Sequence, residues 1–252
     1  MKKVLKTSLV VMGMTLSSLA FAQCDDTNLD AWDNVREDAA GQMDVVAGGL
    51  AGTACRLEVS ATTDTAQRAR VQDRTPACES SFRGRFLLNI DNLGVLADNQ
   101  RNKLHNIQCN TADNGGAVAC ANVGVLQLRL QGDGGTNILR SFVTDEGPAT
   151  VADNRRKFDV PVSSGEQAFE YQWIRESSDG AADGVFRMWA NSNTTEASPD
   201  IEYTDLENFN YCIDRINLGL IQPTTAFSNN QTGVKIQIDE YESRRQTAIG
   251  LN

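Results

Sequence analysis

From position 23 onward the chain repeats with a period of two and almost nowhere with the period of a helix. In the stretch 80–90, Phe82, Phe86, Leu88 and Ile90 share one face, while Arg83, Arg85 and Asn89 take the other. In 123–130, Leu126, Leu128 and Leu130 oppose Val125, Gln127 and Arg129; further on, Val234, Ile236 and Ile238 oppose Lys235, Gln237 and Asp239. Successive strand residues point to opposite sides, so these are strands with one face buried and one face wet. Similar segments occupy 53–60, 167–175, 184–190 and 211–221, separated by Gly, Asn, Asp and Ser clusters, and Asp179-Gly180 with Asp183-Gly184 mark a hairpin turn. Many short strands without helical spacers predict an all-β fold, two packed antiparallel sheets forming a β-sandwich of the jelly-roll kind. No linker or internal repeat divides residues 23–252, and the chain's 252 residues suit one large β domain.

The first 22 residues read differently. Lys2, Lys3 and Lys6 precede an apolar run at 9–19, and Ala20-Phe21-Ala22 supplies the small-x-small pattern cut by a signal peptidase. That run is too short to cross a bilayer, and no other stretch reads as a transmembrane segment. The expectation is a cleaved signal peptide at 1–22 and a periplasmic or secreted protein.

All six cysteines follow that cut. An even number in an exported chain reads as three disulfides. Cys109 and Cys120 flank a polar loop between two strands and are expected to pair; Cys55 and Cys78 sit beside early strands and are expected to pair, leaving Cys24 with Cys212. The close C-x-x-C spacing that zinc requires is absent. A net charge of −10 argues against nucleic acid as the partner, because phosphate binding needs clustered cations.

Several segments carry a resemblance. Val45-Val46-Ala47-Gly48-Gly49-Leu50-Ala51-Gly52-Thr53 with Arg56-Leu57-Glu58-Val59 looks like the entry strands of concanavalin A-like (laminin-G-like) jelly-roll domains. Thr75-Pro76 followed by Ser81-Phe82-Arg83-Gly84-Arg85-Phe86, the aromatic hairpin from Phe169 to Trp189, and the tail Asp214-Arg215-Ile216-Asn217-Leu218-Gly219 with the stretch 233–245 are similar to later parts of the same fold. The resemblance implies a concanavalin A-like jelly roll and recognition of a saccharide or another surface ligand, with no activity carried over.

The catalytic patterns of that scaffold are each incomplete here. Gln237-Ile238-Asp239-Glu240-Tyr241-Glu242 resembles the carboxylate strand of laminarinase-like hydrolases, but Gln237 stands where a nucleophile is needed. Jelly-roll lyases use a His or Tyr base with Arg or Gln on the uronate carboxylate. The lone histidine, His105, lies in Lys103-Leu104-His105-Asn106 and lacks their Gln-x-His arrangement. No Gly-x-Ser-x-Gly elbow occurs. These absences lead to the expectation of a non-catalytic protein. Its ligand-binding candidates are Arg83, Arg85, Gln127, Arg129, Tyr171, Trp173 and Trp189, since sugar binding asks for an aromatic ring flanked by polar groups. Asp179 and Asp183 are the candidate ligands of a structural calcium ion. Alternatives are an adhesion module that contacts a protein, or a glycan-cleaving enzyme.

Overall fold

The computed structural model describes residues 24, 26–63, 68–110, 120, 122–146, 154–191, 198–245 and 249. The expected signal peptide at 1–22 lies outside them. Fourteen strands, numbered in chain order, form two antiparallel sheets of seven. The first sheet runs β1 (Asn34–Glu37), β4 (Ala69–Asp73), β13 (Arg215–Pro223), β6 (Arg101–Cys109), β7 (Val123–Asp133), β8 (Thr136–Thr144), β9 (Arg155–Val162). The second runs β12 (Ile201–Leu206), β11 (Gly184–Ala190), β10 (Gln167–Ile174), β5 (Ser81–Asn89), β14 (Lys235–Arg244), β3 (Cys55–Ser60), β2 (Met43–Ala47). The all-β sandwich expected from the alternation is the observed fold. The short helix α1 (Thr225–Asn230) has no strong signal in the sequence; the Thr224 hydroxyl caps it by accepting from the Phe227 N–H, and Phe227 packs into the core.

The alternation decides which side chains meet between the sheets. Phe82, Phe86 and Leu88 of β5 point inward beside Phe169, Tyr171 and Trp173 of β10, with Phe82 opposite Trp173 and Phe86 opposite Phe169. Leu126, Leu128 and Leu130 of β7 face them from the first sheet. Each large side chain fully withdrawn from water contributes about 1.5–3 kcal/mol. Tyr171 and Trp173, expected on a ligand-facing surface, are therefore core residues with 0% exposure. Tyr171 needs the glycine opposite it: a methyl at Gly84 would overlap its phenol.

Three disulfides are present, and two differ from the expected pairing: Cys24 joins Cys55, Cys78 joins Cys212, and Cys109 joins Cys120. The reason is a contact that sequence proximity does not reveal. Glu79 and Ile213 exchange backbone hydrogen bonds of 2.8 and 3.0 Å, which sets Cys78 beside Cys212. Cys55 is left for the N-terminal segment.

Chain-entropy arguments make the bridge that closes the longest loop the most stabilising. Cys78–Cys212 spans 134 residues and Cys109–Cys120 spans 11. Paired Cys→Ser replacement should cost about 5 kcal/mol at the first and about 3 kcal/mol at the second, read from urea unfolding midpoints.

Candidate functional site

The outer face of the first sheet collects cations in a protein that is acidic as a whole. On β6 and β7, Arg101 pairs with Gln131 and Lys103 with Arg129, so these side chains leave the core together. Arg129 in turn pairs with Arg140 on β8, and Arg140 with Asp159 on β9. Arg101, Arg129, Gln131, Arg140, Phe142, Arg155 and Lys157 line a cavity of about 580 Å³ together with Asp159. The one carboxylate lining it is held by Arg140, at 2.8 Å. The Arg129 guanidinium lies 4.6 Å over the Phe142 ring, and the Lys157 ammonium 5.8 Å from it. Burial and the neighbouring Arg101, Arg140 and Arg155 hold the Arg129 pKa below its ordinary value. Such like-charge crowding is relieved by an anion.

Beside the cavity an amide row crosses the same face. The Gln72 amide donates to Asn217 Oδ1 at 2.7 Å, and the Asn217 amide donates to Gln108 Oε1 at 2.9 Å. Asn106 pairs in register with Asn217 on one side and with Gln127 on the other. Two atoms of this region, Asn106 Oδ1 and Arg70 Nε, are buried with no hydrogen-bond partner among the described residues.

Lys103 stands between the two regions. Burial, then Arg129, Arg155 and Arg68, lower its pKa to about 8. Two residues along β6, His105 should share its face, yet His105 is fully buried and points inward. The cause is a bulge: Lys103 pairs with Arg129 and His105 with Leu128, so Leu104 has no counterpart on β7. His105 Nδ1 lies 2.8 Å from the Asn217 carbonyl oxygen, and Nε2 lies 2.8 Å from the Tyr171 hydroxyl. A carbonyl only accepts, so Nδ1–H donates to it and bare Nε2 accepts from Tyr171. Burial lowers the His105 pKa to about 4, outweighing the Asn217 contact, so the ring is neutral at pH 7.

The remaining expected site residues are divided by the fold. Gln127 and Arg129 belong to the basic face. Arg83, Arg85 and Trp189 lie on the opposite outer face, on the second sheet, where each arginine meets a carboxylate. Arg83 pairs with Glu170 at 3.1 Å and stacks over Trp189 at 4.8 Å, and Arg85 pairs with Glu240 at 2.9 Å. Ile249 closes over this group, its N–H donating to Glu170 Oε1 at 3.1 Å. Asp183 serves the turn, accepting from the Ser177 N–H and hydroxyl at 2.8 and 2.7 Å, which holds its carboxyl below the usual range. Among the described residues, the one metal-like cluster is Cys109, Cys212 and Asp214, and it includes neither Asp179 nor Asp183. Its cysteines are in disulfides, and Asp214 accepts from the Asn110 N–H, so its donors are committed. Sequence reading missed Arg70, Gln72, Arg101, Lys103, Asn106, Arg140, Arg155, Lys157 and Asn217. Each sits in an alternating strand, but only the pairing register brings them to one face.

No protein-family model matches the chain, and no curated protein matches it by sequence. Solved structures do share its architecture. An endo-β-1,4-glucuronan lyase from the fungus Trichoderma reesei superposes with a TM-score of 0.59 at 15% identity, over 89% of this chain and 95% of that one. A mutant of alginate lyase Aly36B, in complex with an alginate trisaccharide, gives 0.53 at 9% identity, over 85% and 88%. Alginate lyase vAL-1 from a Chlorella virus gives 0.52 at 9% identity, over 90% and 100%. At such identity the likeness is one of fold, a jelly roll that these polysaccharide lyases also have; the laminin-G-like branch is a narrower expectation that it does not reach. It does overturn the non-catalytic expectation. That reading rested on incomplete carboxylate, histidine and serine motifs, whereas solved polysaccharide lyases share this fold and the basic face carries a lysine with a lowered pKa.

The buried neutral histidine links stability to pH. An unfolded-chain His titrates near ~6.5, and His105 titrates at about 4 in the fold. Its contribution is complete above the unfolded value and is lost as pH falls toward 4, amounting to about 3 kcal/mol. Wild-type melting temperature should therefore fall more steeply between those two values than that of His105→Gln, as followed by calorimetry.

Proposed function

We propose that this protein binds an acidic, uronate-containing polysaccharide on the outer face of the first sheet and cleaves it by β-elimination. The observation that carries this reading is Lys103, a half-buried amine with a pKa of about 8 at the junction of a cationic cavity and an amide row. Three groups of residues have distinct roles. Arg129, with Arg70 or Arg101, neutralises the uronate carboxylate and so makes the neighbouring C5–H more acidic. The Lys103 free amine takes the C5 proton. The released electron pair forms the C4=C5 double bond as the C4–O glycosidic bond breaks, and the departing oxygen takes a proton from the Lys103 ammonium or water. Asn106 and Gln127 hold sugar hydroxyls. The glucuronan and alginate lyases that share the fold support this substrate class. The chain would work as one exported domain, residues 23–252 behind a cleaved leader at 1–22, and the three disulfides support an oxidising compartment.

A base must be unprotonated, so the rate should rise about tenfold per pH unit and level off above pH 8 or so. Ultraviolet absorbance of unsaturated uronate, measured with glucuronan, alginate and pectate, tests the reading. Lys103→Met should cost a factor of roughly 10²–10⁴, and Arg129→Ala should weaken binding and its salt dependence. Absence of unsaturated product across the panel, or full activity in Lys103→Met, would contradict the proposal.

A further inference from the structure

We infer that His105 is the positioning residue that keeps Lys103 on the binding face, by pinning the bulge of β6 from inside the sandwich. This rests on the reading of Lys103 as the working amine, although its first measurement does not require activity. In a regular strand residues two apart share a side. Here they point to opposite sides, and the extra residue Leu104 absorbs the difference. Leu104 is itself fully buried, so the bulged turn of chain is held by packing as well as by hydrogen bonds.

The anchor is two-sided. The Asn217 carbonyl on the neighbouring strand β13 accepts a hydrogen bond from Nδ1–H, and the Tyr171 hydroxyl donates to Nε2 from the other sheet. The ring also lies against Phe86, centroids 5.5 Å apart, and Tyr241, at 5.8 Å. With these partners His105 cannot rotate outward without abandoning two buried hydrogen bonds, each expensive to leave unmade. Without the anchor, β6 can relax toward regular pairing and the Lys103 amine gains solvent.

The groups acting on Lys103 come from every side of its pocket. Arg101 precedes it on β6, Arg129 faces it from β7, Arg155 lies at the start of β9, and Arg68 precedes β4. Gln222 pairs with it on β13, and Thr224 closes the pocket. All the titratable neighbours are arginines and remain charged throughout the working range. A change in the titration of Lys103 therefore reports its position and burial rather than a neighbour's protonation.

Lys103, Lys157 and Lys235 are the only lysines after residue 22, so ¹³C-methylation of a chain beginning at Gln23 gives three lysine signals beside that of the α-amine, and NMR can follow each against pH. In the wild type one should titrate at about 8 and vanish from that position in Lys103→Arg. In His105→Phe it should climb by a unit or more toward the ordinary ~10.4, and uronan cleavage at pH 7 should fall at least tenfold in kcat with KM little changed. His105→Gln, which can still donate and accept, should retain most of the wild-type titration and rate. If His105→Phe does not fold, Tyr171→Phe, which removes one of the two anchors, should move the Lys103 titration the same way by a smaller amount. A folded His105→Phe or Tyr171→Phe protein with an unmoved Lys103 titration would overturn the inference. A wild-type protein that cleaves no uronan, yet whose Lys103 titration follows His105, would remove the functional reading and leave the positioning role standing.

Discussion

One buried polar bridge joins the two halves of this protein. The His105 ring spans the sandwich from a backbone carbonyl of the first sheet to a tyrosine hydroxyl of the second. The rings of Phe86, Tyr171 and Tyr241 surround it, and an imidazole so buried is tolerated only because both its nitrogens are satisfied. The bridge imposes conditions elsewhere. Gly84 has to be a glycine so that Tyr171 can lie across β5. The strand β6 has to bulge so that His105 can turn inward while Lys103 stays outside. The neutral state of the ring follows from the same burial.

The second organising feature is the segregation of charge. The chain is acidic overall, with a net charge of −10, yet Arg101, Lys103, Arg129, Arg140, Arg155 and Lys157 converge on one sheet face. The opposite outer face holds arginines too, but each meets a carboxylate: Arg83 with Glu170, Arg85 with Glu240, Arg244 with Glu242. The second face thus sets its arginines against carboxylates, whereas the charged neighbours of Lys103 and Arg129 on the first are other arginines. Added salt screens such a contrast.

The two-sheet architecture was legible because alternation states which side of a strand is buried, and stretches such as 80–90 and 123–130 alternate cleanly. The disulfides were partly legible. Cys109 and Cys120 flank one loop, so proximity along the chain is informative, whereas Cys78 reaches Cys212 through a bridge between Glu79 and Ile213 that no local pattern announces. The site was harder. Arg83 and Arg129 look alike in sequence, each an outward arginine in an alternating strand, and only the identity of the cross-strand neighbours separates a neutralised arginine from a crowded one. Aromatic residues misled for the opposite reason: Tyr171 and Trp173 obey the alternation perfectly, and the face they share is the inner one. In sequence His105 is a lone histidine without a Gln-x-His partner. The unusual fact is its face relative to Lys103, which appears only when a bulge is seen.

Ligand recognition on the outer face of the first sheet is the proposal from which the other roles follow. Titrating isotope-labelled Lys103→Met protein, which should bind without turnover, with an oligoglucuronate while recording amide shifts is the most direct test. The account predicts saturable shifts on β4, β13, β6, β7 and β8, centred on Asn106, Gln127 and Arg129 and weakened by salt. Shifts gathered instead around Arg83, Arg85 and Trp189, or none at saturating ligand, would contradict it.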